Sequence, residues 1–113
     1  MAALRENDRI VMVEKKGFKD DNLRIFVGIV EACDATIIRA RGYAFTVSPY
    51  DVGGVERRGE ERIRIFALET GDVIFVLPPE QDISKMVIKR TAKSMQLSDG
   101  VFAMDLTDFL VRG

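Results

Sequence analysis

The stretch at residues 23–47, LRIFVGIVEACDATIIRARGYAFTV, decides the fold of this chain. Residues 23–33 are almost entirely apolar and rich in β-branched side chains, which predicts a long buried strand. The chain reverses at Asp34, and residues 36–47 form the partner strand. Gly28 lies inside the first strand, where a glycine marks a bend or a close approach of two backbones. The stretch therefore predicts a bent antiparallel strand pair.

The second of these strands has two different faces, because side chains alternate along a strand. Small and apolar residues share one face, namely Ile38, Ala40, Gly42 and Ala44. The other face carries Arg39, Arg41, Tyr43, Phe45 and Val47. The small-residue face suits the interior of a tight barrel, where little volume is available.

Short apolar runs between turn residues predict the remaining strands. Before residue 23, a strand at 9–14 is followed by a turn at 15–22. After residue 47, we expect a glycine-rich loop, two strands joined by a tight turn, and a stop at Pro78-Pro79. The loop covers residues 48–59, the strands cover 60–68 and 73–77, and the turn covers 69–72.

The last part of the chain is predicted to be an appended β extension. Short strands are expected at residues 86–91, 95–98 and 101–106, with Asp99-Gly100 as a hairpin turn and a turn of helix at 106–111. A length of 113 residues indicates one domain. We therefore expect a single domain over residues 1–113, divided into a barrel at 9–79 and the extension at 80–113.

Composition excludes several classes of function. The chain contains no histidine, which rules out the usual Cys/His zinc sites and catalysis by Ser-His-Asp or Cys-His groups. It has no phosphate-binding glycine loop with lysine and no nucleophile elbow. Cys33 is the one cysteine, so an internal disulfide is impossible. We predict a non-enzymatic, cytoplasmic protein with no catalytic residues, no metal, no cofactor and no membrane partner.

Arginines are the candidate binding groups. The net charge is −1, so no overall basic field attracts nucleic acid and only local clusters can do so. If the two arginine-bearing strand faces meet, they form a basic patch with an aromatic side chain, suited to phosphates and bases. The RNA-binding residues predicted on this basis are Arg39, Arg41, Tyr43, Arg62 and Arg64. Alternatively, these arginines are solvated outer positions that pair with Glu31, Glu60 or Glu61.

Three other pairs of charged residues are weaker candidates. Arg57-Arg58 lies in the glycine-rich loop, where neighbouring glutamates predict a neutralised, solvated turn. The acid pairs Asp20-Asp21 and Asp105/Asp108 have oxygen ligands for a hard cation, but such pairs are typical of solvated turns.

Two short motifs resemble those of the Sm-like (LSm) family. Gly28, the apolar Val30 and Asp34, six residues after the glycine, match the first motif of that family. Residues 68–73, LETGDV, resemble the second motif, in which Arg-Gly-Asp/Asn lies between apolar residues. The resemblance covers about residues 9–79. It implies an all-β fold, namely a small, strongly bent five-stranded Sm-like barrel, here with an extra C-terminal β-hairpin.

Two positions depart from the family pattern. The RNA-contacting asparagine of the first motif falls on Ile38, and the arginine of the second motif falls on Thr70. Isoleucine cannot hydrogen-bond a base edge, and threonine cannot stack or pair as arginine does. Because of these two departures, we expect RNA to bind at the arginine faces rather than at the usual pore site of the family.

The resemblance also implies assembly. In the family, the fourth strand of one subunit pairs with the fifth strand of the next, and the rotation closes a ring. Here those strands are residues 60–68 and 73–77, and the latter carries no charge. A neighbouring subunit or the C-terminal extension must cover such an edge. The predicted interface residues are Ile63, Ile65, Val73, Phe75 and Leu77.

The predicted function is a non-enzymatic Sm-like protein that forms a homo-oligomeric ring and binds RNA. A structural or protein-binding β module that acts as a scaffold, with no nucleic-acid role, is the alternative. A third hypothesis is that the chain is an enzyme that uses carboxylates.

Overall fold

A computed structural model describes residues 4–14, 18, 21–48, 50–68 and 72–110, with only the backbone of residue 110 included. Strands and two short 3-10 turns make up the regular structure of this part, which confirms the predicted all-β class. No helix within the described ranges is long and apolar enough to cross a membrane. The strands form one six-stranded and one three-stranded antiparallel sheet.

The strand boundaries agree with the sequence-based prediction to within two residues, apart from one additional strand. The first sheet contains β1 (Arg9–Val13), β2 (Leu23–Cys33), β3 (Ile37–Val47), β4 (Val55–Arg57), β5 (Arg62–Ala67) and β6 (Val73–Leu77). The second sheet contains β7 (Val87–Arg90), β8 (Met95–Ser98) and β9 (Ala103–Asp105), and the 3-10 turns are Ile83–Lys85 and Thr107–Leu110.

The additional strand is β4, which lies inside the predicted loop at residues 48–59. It pairs antiparallel with the end of β3, and the chain makes a turn between the two strands. In that turn, the amide of Ser48 donates to the Gly54 carbonyl (2.8 Å) and the amide of Gly54 donates to the Asp51 carbonyl (2.9 Å). Gly53 and Gly54, which indicated a loop, therefore belong to a hairpin turn. The three-residue strand β4 follows them.

The first sheet does not close into a barrel, whereas the sequence predicted a small, strongly bent five-stranded Sm-like barrel. Its strands run in the order β6-β1-β2-β3, and the far edge of β3 is shared between β5 and β4. Within the described ranges β6 pairs only with β1 and β5 only with β3. These two strands are therefore edges of the sheet, and no pairing between them closes it.

Strong bending is nevertheless present. In a flat sheet, β1 and β5 would lie three strand spacings apart, about 14 Å. Glu14, directly after β1, and Arg64 of β5 instead approach to 3.7 Å between Oε1 and Nη2. The rings of Phe26 on β2 and Phe66 on β5 have centroids 5.0 Å apart. The sheet therefore curls around the face that carries these four side chains.

Each of the two faces of the curled sheet has its own hydrophobic core. The inner face is the concave one, and its buried residues are Ile10, Met12, Phe26, Val30, Ile38, Ala40 and Phe66. The outer face is the opposite one, and it buries Val11, Val13, Leu23, Ile25, Val27, Tyr43, Phe45, Val47 and Leu77. Both faces are apolar over most of their length, so β1 and β2 are nearly continuous hydrophobic runs.

The C-terminal extension covers part of the outer face. Met95, Leu97 and Leu106 are fully buried in the outer core, and the ring of Phe109 meets that of Phe75 edge-on at 6.2 Å. The extension therefore shields the side chains on one face of β6. Within the described ranges it does not pair with the free edge of that strand.

Several sequence predictions lie partly outside the described residues. Glu69, Thr70 and Gly71 of the second motif are among them, as are most of the turn at 15–22, the acid Asp20 and the end of the helical turn at 106–111.

Candidate functional site

The predicted patch of five residues is divided between the two faces of the sheet. Register places Arg41 opposite Ile63, and Gly42 opposite Arg62. Residues directly opposite each other point to the same side of a sheet. Arg39 and Arg41 therefore lie on the outer face, while Arg62 and Arg64 lie on the inner face. The structure does not bring these two pairs together.

On the outer face, carboxylates neutralise the arginines. Nε of Arg39 lies 3.1 Å from Oε1 of Glu31, and Nε of Arg41 lies 3.8 Å from Oε2 of the same residue. Nη1 of Arg41 also donates to Oε1 of Glu61 at 2.9 Å. The hydrogen bond and charge of Glu61 raise the pKa of Arg41 above its ordinary value. These two arginines thus match the alternative prediction of paired, solvated outer positions.

Tyr43 is not available for stacking on a base. Its side chain belongs to the outer core and is only 9% exposed. The guanidinium of Arg57 covers its ring, with Cζ 4.0 Å from the centroid. The phenol oxygen donates to Glu61 at 3.4 Å.

On the inner face, four arginines surround one open cavity. The cavity has a volume of about 280 Å³ and lies over the ends of β2 and β3. We call it the arginine pocket. Its charged lining residues are Glu14, Arg24, Arg58, Arg62 and Arg64.

Strand register places these side chains. Arg24 lies opposite Thr46 on β3, on the same face as Phe26. Arg62 and Arg64 are alternate residues of β5 and therefore point to the same side. The turn between β4 and β5 supplies Arg58, whose amide donates to the Ala44 carbonyl at 2.7 Å. Each arginine thus comes from backbone that the sheet holds in position.

Aromatic rings form the floor beneath Arg64. The Cζ atom of Arg64 lies 4.6 Å from the centroid of the Phe66 ring and 5.9 Å from that of Phe26. A guanidinium at such distances is attracted to the negative face of a ring. Together with its ion pair to Glu14, this contact fixes Arg64 against the inner core.

The pocket retains an excess of positive charge. Arg64 pairs with Glu14, and Nη1 of Arg58 lies 3.2 Å from Oε2 of Glu56. Arg24 and Arg62 make no ion pair or hydrogen bond within the described ranges. Two guanidinium groups thus have no partner in the described part of the chain and can donate to a ligand.

Gly59 allows Arg62 to approach the turn before β5. Its φ of +78° lies in the left-handed region, and a Cβ at this position would be 2.9 Å from Nη2 of Arg62. A side chain here would be strained and would displace that guanidinium. The glycine thus helps to shape the pocket wall.

Sequence analysis identified two of the four pocket arginines as binding residues. Arg24 carried a signal, because it and Glu31 are the only charged residues of the long apolar strand β2. The sequence predicted Arg58 in a neutralised, solvated loop; the structure pairs it with Glu56 and also places it in the lining of the pocket. The convergence of all four depends on the curl of the sheet, which places β5 over the start of β2.

The predicted interface residues fall into two groups. Ile63 and Ile65 are 50% and 65% exposed on the outer face of β5. Val73 and Phe75 are half-buried against the outer core, and Leu77 is buried in it. On β6, the backbone edge rather than these side chains faces outward.

Anion binding is the chemistry that the arginine pocket offers. Guanidinium groups present paired N–H donors that match the oxygens of phosphates and carboxylates. No group of three or more cysteine and acidic side chains that could hold a metal ion occurs in the described part of the chain. Comparisons with protein-family models, with characterised proteins and with solved structures find no match.

Proposed function

We propose that this chain is a non-enzymatic Sm-like protein that assembles into a homo-oligomeric ring and binds single-stranded RNA in the arginine pocket. The observation that carries the proposal is the convergence of Arg24, Arg58, Arg62 and Arg64 on one cavity. Phosphate contacts supply most of the affinity of sequence-tolerant nucleic-acid binding.

The edges of the sheet support the assembly. β5 and β6 each have one paired neighbour in the described ranges, and β6 is an uncharged edge. Such an edge invites pairing with another chain. Joining β5 of one subunit to β6 of the next would satisfy both edges, and a closed ring would leave none open.

The position of Ile38 supports a binding site away from the usual pore contacts. This residue is 1% exposed and belongs to the inner core, so its side chain cannot reach an RNA base. A ring would repeat the arginine pocket once in each subunit. Repetition raises the apparent affinity for a strand that spans several pockets.

Two measurements test the proposal. Size-exclusion chromatography with light scattering gives the oligomeric state, and a multiple of the 12.7 kDa chain is expected. Filter binding of short U-rich and A-rich RNA at two salt concentrations tests recognition. Affinity should fall steeply with salt, with a slope of about −0.7 in log–log form for each phosphate contact. A monomer at micromolar concentration removes the ring, and no binding at low salt removes the RNA role.

A protein-binding scaffold is the second candidate function. It is favoured by the exposed Ile63 and Ile65, which lie beside Arg39 and Arg41 on the uncovered part of the outer face. Apolar side chains next to neutralised charges are typical of protein-contact surfaces. Oligomers that bind no RNA at low salt would favour this function.

A further inference from the structure

The arginine pocket has the size of a site for one small group rather than for a length of chain. Its volume of about 280 Å³ lies at the lower limit of small-molecule sites, which span about 300–1,000 Å³. One phosphate with its attached sugar is the part of a nucleic acid that suits such a volume. A run of nucleotides bound within one subunit would need an extended groove instead.

The charge of the pocket also selects among phosphates. Among the residues that the structure describes, four guanidinium groups face Glu14 in the lining and Glu56 beside it, which leaves two uncompensated positive charges. An internal phosphodiester carries one negative charge. A phosphomonoester carries close to two at neutral pH, because its second pKa is about 6. The charge of the monoester therefore equals the excess positive charge of the pocket, whereas the diester leaves one positive charge of the pocket uncompensated.

We infer that the arginine pocket binds a phosphomonoester dianion, as found at the phosphorylated end of an RNA strand or on a free mononucleotide. The inference deepens the proposed RNA binding and rests on it for the first of these two sources. Arg24 and Arg62, which have no ion pair among the described residues, supply the donors to the phosphate oxygens. Arg64, which is fixed on Phe66 by its cation–π contact and paired with Glu14, lines the same cavity.

Binding of defined probes to the full chain tests this inference. The RNA probes are one eight-nucleotide sequence with a 5′-phosphate, with a 3′-phosphate, or with hydroxyl groups at both ends. The small probes are 5′-AMP, 3′,5′-cyclic AMP and adenosine, which carry a monoester, a diester and no phosphate. Fluorescence anisotropy measures the RNA, and calorimetry measures the nucleotides.

A phosphomonoester is expected to bind about tenfold more tightly than its diester or hydroxyl counterpart, as befits an added charge-assisted hydrogen bond. Preference for phosphorylated RNA ends identifies the RNA as the source, whereas preference confined to 5′-AMP identifies a free nucleotide. Either preference should vanish in the Arg24→Gln/Arg62→Gln double variant and persist in Arg39→Gln, whose arginine pairs with Glu31 on the outer face. Circular dichroism confirms that the variants fold.

The outcomes separate this inference from the proposed function. If hydroxyl-ended RNA binds as tightly as phosphorylated RNA and 5′-AMP binds no better than cyclic AMP, the inference is overturned while RNA binding stands. If 5′-AMP binds through Arg62 but no RNA binds, the inference stands and the RNA function fails. A phosphomonoester preference that survives the double variant also overturns the inference, because it places the site elsewhere.

Discussion

Gly28 and Gly42 lie directly opposite each other in the register between β2 and β3. A Cβ built on Gly42 would be 2.0 Å from the Val27 carbonyl oxygen and 2.5 Å from Cα of Gly28. One on Gly28 would be 2.6 Å from the Phe26 ring and 2.9 Å from the Arg41 carbonyl oxygen. The two longest strands thus approach each other more closely than side chains allow, at the position where the sheet curls over the inner face.

Replacing Gly42 by alanine should destabilise the protein by about 3 kcal/mol, because backbone atoms of β2 cannot move aside cheaply. Urea denaturation should show a lower midpoint with an unchanged m-value. Gly53→Ala is the matched control. Its Cβ would meet only Asp51 Oδ1 at an ordinary 3.5 Å, and we expect a change within about 0.5 kcal/mol. Equal stability of the two variants would show that the close approach is unimportant.

Acid should weaken the turn between β2 and β3. Oδ1 of Asp34 accepts hydrogen bonds from the amides of Thr36 (2.8 Å) and Ile37 (2.9 Å), and these bonds lower the pKa of Asp34 below its ordinary 3.8. A lowered pKa in the folded state means stabilisation that is present above the ordinary pKa and lost as the pH falls through the folded value.

Asp34→Asn should therefore show a smaller fall in melting temperature between pH 7 and pH 3 than the unchanged chain. The asparagine keeps an acceptor oxygen but carries no proton-dependent charge. Thermal unfolding followed by circular dichroism at the two pH values measures the difference. An identical acid-induced fall in both proteins would exclude a role for the Asp34 carboxylate.

Local patterns in the sequence predicted the strands well, because alternation, turn residues and the positions of Gly28 and Asp34 act over short distances. The alternation of residues also predicted that Arg62 and Arg64 share one face of β5. Ile63 and Ile65 lie on the other face of the same strand. The meeting of strand faces was not predictable in this way. Whether Arg64 lies beside Arg41 or beside Arg24 depends on register and on the curl of the sheet, which are set by contacts distant in sequence.

The short strand β4 is an element that local sequence patterns did not predict. Three residues are too few to show the alternation of a strand, and the charged Glu56 and Arg57 are typical of a loop. Their pairing with the end of β3 becomes evident only when the turn at Ser48–Gly54 is closed by hydrogen bonds. As a result, Arg58 enters the pocket from a position that the sequence assigned to a solvated loop.

Arg62→Ala should weaken RNA binding and reduce the slope of log affinity against log salt by about 0.7, because it removes one phosphate contact to a single strand. Filter binding at several salt concentrations gives both quantities. Arg39→Ala serves as the control, since its guanidinium pairs with Glu31 on the other face and should leave the slope unchanged. A larger effect of Arg39 than of Arg62 would move the binding site to the outer face.

The C-terminal sheet should unfold together with the first sheet as one domain. Leu97 is fully buried between the two sheets, so Leu97→Ala should cost about 3 kcal/mol. Unfolding should remain one cooperative transition by both tyrosine fluorescence and circular dichroism. Val101→Ala is a matched control, because Val101 is 98% exposed. Two separate transitions would instead indicate that residues 80–113 form a unit of their own.

Assembly through β5 can be tested at Ile65, which is 65% exposed beside the free edge of the sheet. A charge at this position should reduce the oligomer, because pairing with another subunit would bring the carboxylate into an apolar interface. Size-exclusion chromatography with light scattering should therefore show smaller particles for Ile65→Glu. Val101→Glu adds the same charge at the tip of the C-terminal sheet, away from both edges, and should leave the particle size unchanged. If Ile65→Glu leaves the oligomer intact while Val101→Glu dissociates it, the subunits join through the C-terminal sheet instead of β5.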